Sequence, residues 1–174
     1  MDWYKDLLEE HKVILEVIDA LKKFTVRMEA GGALPPKIME DILDVIMNFA
    51  DKCHHGKEEN VLFPLLQKKP VKDKNMVSVL LKEHEQGRAF VRMMKNGKKD
   101  EVLKGAHGYW ELLVKHIIKE NRFFKECDAL LSDEERKMLL DGFERIELEV
   151  MGEGKHEYYH KKAEEIAKKA KELG

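Results

Sequence analysis

Much of what directs a chain to a membrane or out of a cell is missing here. No run of about 18 apolar residues occurs, so no segment reads as a spanning helix. The opening MDWYKDLLEEH has neither the basic nor the apolar stretch of a secretory signal, so no visible signal exports the chain. Neither sign of charge dominates: 32 basic residues face 34 acidic ones, which leaves no footprint for nucleic acid and no polybasic membrane surface. The two cysteines, Cys53 and Cys127, fall inside helical patterns and read as reduced, packed thiols, so a cytoplasmic chain is expected. No strand-like alternation, internal repeat or low-complexity linker is visible. Proline is scarce, at four in 174 residues, while lysine and glutamate abound, a composition that favours an all-helical protein with one real core.

What is present is a helical period nearly throughout. The spacing predicts a first helix over about 2–28, with Tyr4, Leu7, Ile14, Ile18 and Leu21 on one face, ended by AGGALPP. A second covers about 37–66, with Ile42, Ile46, Phe49, Cys53, Val61 and Leu65 inward. A third covers about 74–95 and a fourth about 100–131. Ser132 then opens a fifth through the capping box SDEE, and a lysine- and glutamate-rich helix closes the chain. Four long helices with short connections imply antiparallel neighbours. The expected fold is therefore all-α, an up-down-up-down four-helix bundle over 1–131, with 132–174 as helices packed outside the same domain.

Polar residues interrupt the apolar stripes at particular places. His11 lies between Leu7 and Ile14, and His84 is four beyond Leu80. His54 and Glu58 are four apart in the second helix, as are His116 and Glu120 in the fourth. Spacing alone proves little: eight histidines among this many glutamates give about one H-x-x-x-E pair by chance, at the helical i,i+4 separation. The chain has five, and only His54/Glu58 and His116/Glu120 fall squarely in an apolar stripe.

Height along the bundle is an independent check. At roughly 1.5 Å per residue, His11 lies about 12 Å from its helix start, and the other three groups about 17–18 Å from the matching ends. In an antiparallel bundle all of them share one layer. Four imidazoles and two carboxylates in a core are intolerable without a cation. The set is too nitrogen-rich for calcium or magnesium and exceeds the need of one tetrahedral zinc. The residues themselves thus indicate a dinuclear transition-metal site, with iron favoured and manganese or zinc as substitutes.

EEHK at His11, CHHGKEENVLFP at His54 and Glu58, EHEQGR at His84, and HIIKEN at His116 and Glu120 together resemble the hemerythrin-like, or HHE cation-binding, family. The likeness runs over roughly residues 3–130. It implies a non-haem di-iron centre, with His11, His54, His84 and His116 as terminal ligands and Glu58 and Glu120 as bridges. Oxygen-carrying hemerythrins have a further histidine four residues after that of the third helix, where this chain has Arg88. Their fourth-helix acid is an aspartate five residues after its histidine, where this chain has Glu120, four after His116. The iron-binding, sensing or redox branches of the family fit this pattern better than reversible oxygen carriage. His55 would stand in for the absent imidazole if the second helix were rotated slightly.

HEYYH, from His156 to His160, matches the H-E-x-x-H signature of zinc proteases, but a charged terminal helix leaves no room for a substrate domain. Solvated surface histidines are the expectation there, as solvation is for Glu85 and Arg88, with pairing to a glutamate of the site as the alternative for Arg88. No positioned nucleophile, phosphate loop or nucleotide fingerprint appears. The expected activity is binding or sensing of a small diatomic ligand such as oxygen or nitric oxide, or of iron itself. The alternative is a di-iron redox enzyme acting on peroxide, nitric oxide or ferrous iron.

Overall fold

The computed structural model describes residues 2–173. These are all-helical, with six helices and no strand among the described residues. They are α1 (Lys5–Glu29), α2 (36–66), α3 (Met76–Asn96), α4 (Lys99–Asp128), α5 (Asp133–Val150) and α6 (Lys155–Leu173). No helix is long and apolar enough to cross a membrane.

The helix ends follow local chemistry. After α1 the chain turns at Gly31, whose φ of 86° suits a residue without a Cβ, and Pro36 then fits the first turn of α2. The Ser132 capping box forms as expected: the Glu135 amide donates to Ser132 Oγ at 3.2 Å, and the Ser132 amide donates to Glu135 Oε2 at 2.9 Å.

The middle of α2 is not a regular α-helix. Over Val45–His55 and Glu58–Leu62 the amides bond five residues back, as Gly56 does to the Asp51 carbonyl and Phe63 to that of Glu58. Such widened turns take in an extra residue and turn neighbouring positions onto one face. A uniform α period therefore misplaces the end of α2. Val61 and Leu65 are only half-buried, whereas Leu62, Phe63 and Leu66 are buried.

Two apolar clusters form the core. One gathers Ile14, Ile18, Phe24, Ile42, Ile46, Phe49, Tyr109 and Leu113, and α6 adds Ala163, Ile166 and Ala170. The other gathers Trp3, Leu7, Leu62, Phe63, Leu80, Phe123 and Phe124, and α5 adds Leu139 and Phe143. Along α1, α2 and α4 the sequence passes from one cluster to the other through the histidines and acids of the candidate site. The polar layer lies where the two clusters meet. α3 approaches α4 closely because Gly105 leaves room: a Cβ there would stand 2.8 Å from the Phe90 carbonyl oxygen.

Candidate metal centre

All seven residues singled out from the sequence are buried: His11, His54, His55, Glu58, His84, His116 and Glu120. Their imidazoles surround the two carboxylates. Glu58 faces His54 Nε2 with Oε1 at 3.2 Å and His84 Nε2 with Oε2 at 3.3 Å. Glu120 faces His116 Nε2 with Oε1 at 2.9 Å and His11 Nε2 with Oε2 at 3.1 Å. Each carboxylate thus turns one oxygen to each half of the cluster. Two overlapping groups result, each with its ligating atoms within 4.8 Å of one another: His11, His54, Glu58 and Glu120, and His55, Glu58, His84 and His116.

The outward ring nitrogens decide which way the lone pairs point. Nδ1 of His54, His84 and His116 each contacts a carboxylate oxygen at 2.7 Å, from Glu10, Glu59 and Glu83 respectively. His55 Nδ1 meets Asp51 at 3.2 Å, and His11 Nδ1 meets Asn121 Oδ1 at 2.6 Å. These oxygens only accept, so every Nδ1 is the donor and every Nε2 is left with a free lone pair that could hold a metal. Inside the cluster, His11 Nε2 and all four oxygens of Glu58 and Glu120 are buried without a hydrogen-bond partner. Orphaned acceptors in this number are costly in a core unless a cation meets them. Imidazole nitrogens and carboxylate oxygens are the donors that transition ions take.

Electrostatics agree. Burial pushes the His54 imidazole down, but the Glu58 and Glu10 carboxylates outweigh it and raise it to about 10. Burial likewise opposes protonation of His84 and His116, yet Glu120 and Glu58 raise His84, and Glu120 raises His116. His55 goes the other way: burial and the neighbouring His84 lower it to about 4. Burial opposes ionisation of Glu58 and Glu120, and the surrounding imidazoles hold both below the ordinary carboxylate range. Without a cation the centre keeps its charge balance with imidazole protons.

Residues 3–127 match the family model described as the hemerythrin HHE cation binding domain. The chain belongs to this family. Comparison with curated proteins and with solved structures returns no match. Membership means a metal cation, and in this HHE domain the histidine and glutamate groups are where one fits.

His55 enters the cluster through the widened turns of α2, which bring both members of the His54–His55 pair inward. Its ring stacks on that of His84 at 3.8 Å between centroids, with 14° between the planes. Arg88 is half-buried rather than solvated and pairs with Asp51 and Glu59 at 2.8 Å, and with the exposed Glu85. It therefore braces the carboxylates that orient His55 and His84. Cys53 is buried, and burial pushes its thiol up to about 12, as a packed thiol requires.

The HEYYH residues are not solvated as a set. His156 is half-buried with Nε2 3.1 Å from Glu10, Tyr159 is buried, and the His160 ring packs on Phe49. Glu164, one turn beyond His160 and in line to complete a surface site with this motif, does not do so: among the described residues neither it nor His160 enters a group that could hold a metal. The sequence reading missed Glu10, Lys57, Glu59 and Glu83. Each stands beside a ligating position in a highly charged stretch, where periodicity does not tell an inward acid from a solvated one.

Proposed function

We propose that this HHE domain holds two iron ions and binds or senses a small diatomic ligand, oxygen or nitric oxide, or iron itself. His11 and His54 would serve one ion, His55, His84 and His116 the other, with Glu58 and Glu120 reaching both. The four helices α1–α4 would form the up-down-up-down bundle, with 132–174 as an extension of the same domain. Manganese and zinc are the substitutes the donor set would accept. The observation that carries the reading is the convergence of five inward Nε2 atoms on four carboxylate oxygens that lack hydrogen-bond partners. When bound, iron supplies an open coordination position and a redox couple.

The chain's own residues supply orientation, dryness and access. Asp51, Glu59, Glu83, Glu10 and Asn121 hold the rings, and Phe63 against His84 and Phe124 against His11 exclude bulk water around them. A cleft of about 260 Å³ leads from solvent to His55 and His84 between Ile46, Met47, Val91 and Tyr109. It gives a small molecule a way in on the side of the three-imidazole group.

The second reading is a redox enzyme using the same residues on peroxide, nitric oxide or ferrous iron, to which the same cleft gives access. Adding nitric oxide, and separately excess peroxide, to iron-loaded protein separates the two. Saturable optical change with nitric oxide and a merely stoichiometric reaction with peroxide support binding. Sustained peroxide consumption replaces it with the enzyme, and no response to either ligand removes the nitric oxide reading and the peroxide and nitric oxide forms of the enzyme, leaving only those that act on iron.

A further inference from the structure

Glu10 precedes His11 in α1, and its carboxylate is buried, 1% exposed. Oε2 accepts the proton of His54 Nδ1 at 2.7 Å. Oε1 points away from the centre and accepts two more bonds, from Lys57 Nζ at 2.6 Å and from His156 Nε2 at 3.1 Å. Lys57 also donates to Glu147 of α5 at 2.8 Å. Glu10, Glu147 and His156 have the makings of a cation site, but the Lys57 ammonium already lies between the two acids. The cluster therefore calls for no further metal. What it does is join α5 and α6, both outside the matched residues 3–127, to a histidine of the centre.

We infer that His156 is a positioning residue of the metal centre: it fixes the Glu10 carboxylate that orients His54, and so links metal binding to the docking of α6. The inference rests on the metal reading above. A lysine holds Glu10 through a flexible four-carbon stem. His156 is a more rigid donor, its ring packed against those of Phe49 at 5.3 Å and His160 at 4.7 Å. A carboxylate held on both oxygens cannot swing away from His54, and the bond it accepts sets both the aim and the basicity of Nε2. α6 is joined to α5 through Gly152 and Gly154, at φ of 85° and 75°, and docks by Tyr159, Ala163, Ile166 and Ala170. The link between helix and metal is reciprocal: what loosens α6 weakens metal binding, and metal binding tightens α6.

The test uses the full chain loaded anaerobically with ferrous iron. His156→Gln keeps a donor of similar reach, His156→Phe keeps a ring on Phe49 without the donor, and His156→Ala removes both. Iron affinity by chelator competition, the iron absorption spectrum and melting of the iron-free protein are measured for each. His156→Phe and His156→Ala should bind iron about tenfold or more weakly with an altered spectrum, while His156→Gln stays within about threefold of the parent. Iron-free melting should differ little between His156→Gln and His156→Phe. Parent-like affinity and spectrum in His156→Phe, or His156→Gln as weak as His156→Ala, overturns the inference. One readout needs no variant: amide exchange over Lys155–Leu173 should slow when the parent takes up iron, and unchanged exchange also overturns it. A parent chain that binds no iron refutes the metal reading instead, and is seen before any variant is made.

Discussion

Loading the centre with metal should expel protons, and the number can be worked out from the geometry. His54 is held protonated at neutral pH by Glu58 and Glu10, at about 10, whereas His55, at about 4, is neutral. His84 and His116 are both raised, but their Nε2 atoms lie 3.2 Å apart, a gap that admits one proton and not two. The metal-free centre at pH 7 thus carries at least two protons where ligand lone pairs are needed, one on His54 and one between His84 and His116. Calorimetric titration with ferrous iron in buffers of different ionisation enthalpy reads that number as a slope. About two protons or more should be released per loaded centre. Each adds about a tenfold rise in overall affinity per pH unit, so two give about a hundredfold rise between pH 7 and 8. A slope below about one would refute the protonation scheme and the ring orientations behind it.

His54, His84 and His116 also set the alkaline stability of the metal-free protein. Their folded values lie above the ordinary 6.5, so their contribution is whole below about pH 6.5 and fades as pH rises through about 9 to 11. Urea unfolding at pH 7 and pH 10 should show the loss, and greater stability at pH 10 would contradict it. Glu58→Ala and His116→Ala should each lose metal and, with it, the metal-dependent rise in melting temperature, because binding energy here is folding energy. A variant that loses iron yet melts as the loaded parent does would break that linkage. Gly105→Ala should destabilise by about 1–3 kcal/mol in urea unfolding, since its Cβ would press on the Phe90 carbonyl at 2.8 Å. A neutral result would mean that α3 and α4 part freely there.

The burial and gathering of the candidate residues were more legible in the sequence than the details of the helices. His11, His84, His116 and Glu120 lie on regular α-helices, where a 3.6-residue period places side chains correctly. In α2 the period fails, because hydrogen bonds five residues back turn His55 inward beside His54 and shift burial from Leu65 to Leu66. Nothing in residue types announces such turns. The outer partners were hidden for another reason. Glu10, Lys57 and Glu83 look like any charged residue of a solvated face, and only the approach of other helices shows that they meet ligating rings or one another. HEYYH was legible as a motif but not as a contact, since Glu10 lies 146 positions away.

The central claim is that imidazoles from four helices enclose a pair of transition ions. Metal analysis of protein purified without air, with its absorption spectrum after oxidation, tests it most directly. About two irons per chain are expected, with near-ultraviolet charge-transfer bands that vanish in Glu58→Ala. A chain holding a single zinc, or keeping its iron when Glu58 is removed, would contradict it.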